Sequence, residues 1–255
     1  MMIYQDIQRN FYNMTGIEFS DREDVFRRKV DAFCLLHAIS SAKELLDSLA
    51  KDKKISQSFI DYLTTSETYF YREFAQIKLF ISQIKHKSEK LKILSAPCAS
   101  GEEPFSLLIA LLEEGFPLEN IELQAMDINA TQIAKAIEGV YEARRLHQLP
   151  EIFKDKYFLK LSNGQYQINT QFRTRVNFRV VNIFEKLPSE YKDFDVIFSR
   201  NMLIYFDKEA QKKVESIFYK LLKDGGSLYL GHADILHNET KFKKYSQEGI
   251  KYFLR

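Results

Sequence analysis

The run Lys92-Ile93-Leu94-Ser95-Ala96-Pro97-Cys98-Ala99-Ser100-Gly101-Glu102-Glu103-Pro104-Phe105 constrains this chain more than any other part of it. An apolar strand leads into a loop of small residues, and a helix is predicted to open at Pro104. That is the first strand–loop–helix unit of a Rossmann-like nucleotide fold. The usual ligand of such a loop is a pyrophosphate, held by backbone N–H groups and a helix N-terminus. Glu102 and Glu103 oppose that ligand. Two carboxylates repel a phosphate and suit a cationic ligand that has none. S-adenosylmethionine carries a sulfonium and an ammonium beside its ribose. The loop therefore shifts the expected chemistry from hydride transfer to methyl transfer.

Before this loop, residues 1 to about 85 show helical spacing. Val25, Phe33, Leu36 and Ile39 mark one predicted helix, Ala42, Leu45, Leu46 and Leu49 the next, and Phe59, Ile60 and Leu63 a third. Ser20 or Asp21 is expected to cap the second helix, after a turn at Gly16. Residues 73–85 read as an amphipathic helix and 85–90 as a polar joint. From Leu91 onward strands and helices alternate, which implies a parallel sheet. Strands are expected at 91–96, 121–126, 176–181, 195–199 and 227–231, with helices at 104–114, from 131, and at 208–222. Asp224-Gly225-Gly226 reads as a turn before the fifth strand, and 245–254 as a closing hairpin.

Between 146 and 175 the alternation breaks. Two alternating runs, 158–161 and 166–168, flank Ser162-Asn163-Gly164, and Asn-Gly between such runs is a strong hairpin signal. The expected class is thus α/β. A helical N-terminal domain (1–85) precedes a Rossmann-like domain (86–255) that holds a small antiparallel β insert at about 146–175.

Charge excludes some partners. Lys plus Arg number 37 against 35 Asp plus Glu, and a net charge of +2 gives no basis for nucleic-acid binding. Two cysteines, Cys34 and Cys98, give no disulfide framework. No secretory apolar segment opens the chain and no apolar run is long enough to span a membrane. A cytoplasmic monomer, not inserted in a membrane, is the expectation. The histidines show no metal-ligand spacing, and no GxxxxGK[ST] phosphate loop occurs. Cys98 has no histidine nearby in sequence and reads as a spacer rather than a nucleophile.

Four further segments carry candidate chemistry. Asp127 ends the second strand, where a nucleotide fold places the acid that accepts ribose hydroxyls; alone it would read equally as a helix cap. Asn182 and Ile183 follow the third strand, where an adenine needs an apolar wall and an amide partner; a plain turn cap at Asn182 fits as well. Arg200 and Asn201 stand at the carboxyl end of the fourth strand, and Tyr205 follows four residues later. In a chain with 14 Tyr and 21 Phe, any single aromatic also reads as core. The run Thr64-Thr65-Ser66-Glu67-Thr68-Tyr69-Phe70-Tyr71-Arg72-Glu73 is dense in hydroxyls and aromatics around one Arg, although Ser66 and Thr68 also suit helix caps.

Taken together, residues 63–73, the 95–106 loop, the strand ending at Asp127, and Ser199-Arg200-Asn201 through Tyr205-Phe206-Asp207 resemble the CheR family of chemotaxis receptor methyltransferases. Gly231-His232 is similar to that family's Gly-His element. The resemblance implies a helical N-terminal domain, an S-adenosylmethionine domain and a β subdomain. It also implies methylation of glutamate side chains on the cytoplasmic helices of chemoreceptors. It places donor contacts at Ser66, Thr68, Arg72, Glu102, Asp127, Asn182, Ile183, Arg200 and Asn201, and it sets Arg72 and Tyr205 nearest the transferred methyl. Ser66 stands where the family commonly has Asn. Two departures matter. Arg27, Arg28 and Lys29 give way to Asp31 and an apolar run, where many members have a dense basic helix. The loop at 161–165 is short where members that bind a receptor's C-terminal pentapeptide have a longer, glycine-rich one, so no such tether is expected. A methyltransferase acting on a small molecule, or a non-catalytic receptor adapter, are the competing expectations.

Overall fold

A computed structural model describes residues 2–64, 67–84, 89–236 and 240–255. Thr65, Ser66, the joint at 85–88 and His237 lie outside the described residues. Among the described residues no helix is long and apolar enough to cross a membrane.

Four helices, α1 (Met2–Thr15), α2 (Glu23–Leu36), α3 (Ala42–Lys51) and α4 (Lys53–Leu63), enclose a phenylalanine-rich core. Phe11 lies at its centre, with ring centroids 5.8 Å from both Phe19 and Phe59. The buried face of α2 is Phe26, Val30, Phe33 and Cys34, an i, i+4, i+7, i+8 stripe. Of the residues expected to mark that face, Phe33 is buried, whereas Val25 and Leu36 are exposed. A short 3₁₀ turn, Ser20–Arg22, precedes α2, so its N-cap falls on Arg22 and neither Ser20 nor Asp21 caps it. Ser41 and Asp52 do cap α3 and α4 through their side chains.

The next helix, α5 (Phe74–Gln83), is shorter than expected and buries Gln76, Ile77, Leu79, Phe80 and Ile81. It packs on the sheet: Phe80 meets Phe198 and Tyr229 edge-on. Alternation then follows through β1 (Leu91–Ser95), α6 (Glu102–Glu113), β2 (Ile121–Asp127) and α7 (Ala130–Glu138). Next come β3 (Val140–Tyr141), α8 (Glu151–Tyr157), β4 (Phe158–Lys160), β5 (Tyr166–Ile168) and α9 (Thr170–Arg173). The chain closes through β6 (Val176–Val180), β7 (Phe194–Ser199), α10 (Lys208–Leu221), β8 (Leu222–Leu230), β9 (Lys243–Gln247) and β10 (Ile250–Leu254).

The large sheet has the order β6-β2-β1-β7-β8-β10-β9. Its first five strands are parallel, and β10 and β9 are antiparallel additions. Parallel strands covered on both faces are apolar nearly throughout. Ile93 of β1 and Val196 and Phe198 of β7 face one core, while Leu94 and Ile197 face the other. The strand order reverses between β1 and β7, and that switch point opens a crevice at their carboxyl ends.

Two details differ from the sequence expectation. Leu222 pairs with Phe194 and Ser227 with Val196, so Asp224-Gly225-Gly226 is a bulge inside β8 rather than a turn before it. The small sheet, β3-β5-β4, has the expected hairpin, with Leu161 N donating to the Gln165 carbonyl at 2.7 Å. Its third strand, Val140–Tyr141, lies ahead of the expected start, and two residues are too short to show alternation.

The helical cluster docks onto the mouth of the crevice. Ile17 forms an antiparallel bridge with Phe206, and Glu18 N donates to the Tyr205 carbonyl at 2.9 Å. On the other side Asp61 of α4 caps α7, accepting from Ala130 N at 2.8 Å and Thr131 N at 2.9 Å.

Candidate active site

The crevice deepens into a cavity of about 550 Å³ beneath the helical cluster. Its floor is the loop after β1. Cys98 N donates to the Met126 carbonyl and Ala99 N to Asp127 Oδ2, each at 2.9 Å. These bonds lay the loop across the end of β2. Ala99 (φ 46°) and Gly101 (φ 93°) are left-handed, and α6 opens at Glu102, two residues earlier than expected. A Cβ on Gly101 would stand 3.0 Å from Ala136 Cβ and 3.1 Å from both Phe178 Cζ and the Tyr141 hydroxyl. Gly101→Ala is therefore expected to lose about 2–3 kcal/mol, the sum of left-handed strain and overpacking. A urea titration of the variant beside the parent measures this.

Asp127 is buried under that loop and also accepts from Asn129 N at 2.9 Å. Burial pushes its carboxyl above the usual range, against the pull of these main-chain bonds. Glu102 and Glu103 diverge. Glu102 is buried behind the loop and does not line the cavity; it accepts from Ser100 Oγ at 2.7 Å, with Arg145 Nε 4.0 Å away. Burial likewise raises its carboxyl. Glu103 faces the cavity, accepts from Ser95 Oγ at 2.7 Å and pairs with Arg200 Nε. Arg200 Nη1 in turn donates to the Arg72 carbonyl at 2.5 Å. Cys98 is buried, and burial beside these acids holds its thiol well above neutrality, as a spacer requires and a nucleophile does not.

Thr68 and Arg72 reach the cavity from the stretch before α5. Arg72 lies between Tyr71 (φ 60°) and Glu73 (φ 49°), both left-handed, and its Nη1 donates to the Glu67 carbonyl at 2.7 Å. The Tyr71 main chain is fixed by Ser106 Oγ at 3.0 Å, and Arg145 donates to the Thr68 carbonyl. Asn182 combines both expectations for it: it lines the cavity, and its Oδ1 accepts from Phe184 N at 3.0 Å as a turn cap. Its amide nitrogen also donates to the Met14 carbonyl at 2.6 Å, tying α1 to the site. Ile183 is buried on the wall beside Val181. Asn201 (φ 59°) and Tyr205 complete the far wall, and Asn201 Oδ1 is buried without a protein hydrogen-bond partner.

The structure thus brings Thr68, Arg72, Asp127, Asn182, Ile183, Arg200, Asn201 and Tyr205 together; Glu102 stands behind the wall, and Ser66 is outside the described residues. Of the seven non-glycine left-handed residues among those described, Ala99 and Asn201 line the cavity, and Tyr71 and Glu73 flank Arg72, which also lines it. Each costs of order 1 kcal/mol and persists where the surroundings over-determine it. Sequence reading missed Glu103, Arg145 and Asp234 as organisers. Arg200 offered a signal for the first: a guanidinium at the end of a buried strand needs a buried acid.

The cavity suits a cationic nucleoside. Asp127 presents a carboxylate at the end of β2, Val181 and Ile183 an apolar shelf, and Asn201 Oδ1 an acceptor awaiting a donor. A family model described as CheR methyltransferase, SAM binding domain, matches residues 66–250. A chemotaxis protein methyltransferase from Campylobacter jejuni is 37% identical over 240 residues, covering 94% of this chain and 91% of that protein. Chemotaxis protein methyltransferase 2 from Pseudomonas aeruginosa is 30% identical, covering 91% and 85%. One from Klebsiella aerogenes is 31% identical, covering 99% and 86%.

Proposed function

Because the chain belongs to the CheR methyltransferase family, we propose that it methylates glutamate side chains on the cytoplasmic helices of chemoreceptors, giving glutamyl methyl esters. One observation carries this: segments 67–72, 96–99, 181–183 and 200–206, remote in sequence, converge on a single cavity. S-adenosylmethionine, when bound, supplies an electrophilic methyl group. Asp127 accepts the ribose hydroxyls, Ile183 walls the adenine beside the Asn182 turn, and Thr68, Arg200 and Asn201 hold the amino-acid end. Glu102 enters one step removed, by fixing the loop through Ser100.

A glutamate acceptor is already ionised at pH 7, so the site needs no general base. What it supplies is alignment, worth up to about 7–11 kcal/mol when reacting atoms are held at near-contact distance. Arg72, permanently charged, orients the reacting groups, and Tyr205 shapes the pocket around the methyl.

The test is incubation with methyl-labelled donor and a chemoreceptor cytoplasmic fragment. Label on the receptor, released as methanol by mild base, is the expected result. Base-stable label, or donor binding with no labelled receptor, would overturn the proposal in favour of another acceptor or an adapter role. Fragments with and without a C-terminal pentapeptide are expected to be methylated at rates within twofold, given the short 161–165 loop.

Asp127→Ala is expected to weaken donor binding about 10- to 100-fold, since hydrogen bonds to a charged group are worth about 1.5–3 kcal/mol. Calorimetry measures it, and a change under twofold would leave Asp127 as a cap for Ala99 and Asn129 alone. The affinity should also depend on pH. Burial raises the carboxyl of Asp127, whereas ribose hydroxyls donate to its ionised form. Donor binding therefore takes up no proton; it releases one below that raised value, and affinity falls as pH falls through it.

A further inference from the structure

After β8 the chain folds back through Gly231-His232-Ala233-Asp234, with Asp234 N donating to the Gly231 carbonyl at 3.0 Å. The Asp234 side chain is buried. Its Oδ2 accepts from Asn201 N at 2.5 Å and Gly231 N at 3.1 Å, and its Oδ1 from Ile204 N at 3.3 Å. One carboxylate thus joins the turn after β8 to the segment after β7. The join is close: a Cβ on Gly231 would lie 2.8 Å from Asn201 N and 2.9 Å from Asp234 Oδ2.

Asn201 pays for this contact in conformation. It sits at φ 59°, a region that asparagine tolerates better than most residues. In that conformation its side chain lines the cavity, with Oδ1 buried and unpartnered by protein. The same turn also reaches the opposite wall. His232 Nδ1 lies 3.1 Å from Glu73 Oε2, beside Arg72, and Gln76 Nε2 donates to the Leu230 carbonyl at 2.8 Å.

We propose that Asp234 is a positioning residue for methyl transfer: by binding the Asn201 and Ile204 main chain it holds Asn201 in its left-handed conformation and presents the Asn201 amide to the donor. This rests on the methyl-donor assignment of the cavity. An ionised carboxylate suits the task because it is acceptor-only, whereas an amide would turn an NH₂ toward one of the main-chain donors.

The test is a double-mutant cycle on the full chain, read by calorimetric binding of S-adenosylhomocysteine and by thermal midpoint. Asp234→Asn is expected to weaken binding at least 10-fold in a folded protein. Asn201→Gly keeps the backbone conformation accessible while removing the amide. In that background Asp234→Asn is expected to add less than a threefold loss, because residues acting through one another are non-additive. Equal losses in both backgrounds, or an Asp234→Asn variant within twofold of the parent, would overturn the positioning role. Asp234→Ser, which keeps one acceptor oxygen, runs the same cycle where Asp234→Asn does not fold. A parent protein that binds no donor overturns the methyl-donor assignment and the positioning role with it; a binding parent with an indifferent Asp234 overturns the latter alone.

Discussion

Replacing Glu103 by alanine is expected to cost about 3–5 kcal/mol of folding stability, the range for stripping one partner from a buried ion pair. The Arg200 side chain is 4% exposed and that of Glu103 is 7% exposed, so neither charge can turn to water without moving the end of β7. The substitution also takes the acceptor from Ser95 Oγ, which sits 2.7 Å from Glu103 Oε1. Glu103→Gln keeps an acceptor in the same place and should lose less. Denaturant titrations with unchanged slope would assign the loss to the native state. A loss under 1 kcal/mol would mean that Arg200 is held by the Arg72 carbonyl and its surroundings rather than by Glu103. Arg144–Glu142 supplies the contrast: both side chains are more than half exposed, and removing either should cost less than about 1 kcal/mol.

The second large effect is catalytic. Arg72→Ala should lower kcat about 100-fold, the penalty for misplacing reacting groups by about 1 Å, while stability changes by less than about 1 kcal/mol. The two expectations separate because the turn does not depend on the guanidinium. Its shape is fixed by the Tyr71 main chain on Ser106 and by the Arg200 bond to the Arg72 carbonyl, both of which survive the substitution. The side chain itself makes a bond to the Glu67 carbonyl and lies 6.0 Å from the Tyr69 ring centroid. Arg72→Lys is expected not to restore turnover, since a point charge does not reproduce a planar fork. Rates within threefold of the parent, with saturating donor and receptor fragment, would remove Arg72 from the chemistry.

How far the sequence shows this site depends on the physical scale of each feature. The β1 loop, Asp127 and the Asn-Gly hairpin were legible because each is a local pattern whose backbone demands a residue type. The inner face of α2 was not, because two apolar sets, one through Val25 and Leu36 and one through Phe26 and Val30, both approximate a helical period. Only packing against Phe11 and Phe59 selects between them. The Asp224-Gly225-Gly226 run carries turn chemistry, yet pairing of Leu222 with Phe194 ahead of it makes it a bulge. Glu102 and Glu103 are neighbours in sequence, but about 100° apart around α6, so only one can face Arg200. Asp234 showed locally only as a turn with Gly231; its bonds to Asn201 and Ile204 cross 33 and 30 residues, and no local pattern reports them.

The docking of α1 onto the crevice has a consequence for biosynthesis. Tyr12 donates to Asp207 across 195 residues, and Asn182 to Met14 across 168. The helices that roof the cavity leave the ribosome well before their partners, which follow 168 to 195 residues later. Domains fold as they emerge, but this roof has nothing to close on until residues 182–207 arrive. The cavity therefore cannot close before residue 207 has been made. Donor present in the cell favours only the finished protein, by RT ln(1 + [L]/Kd), and gives no help to a chain that stalls before that stretch.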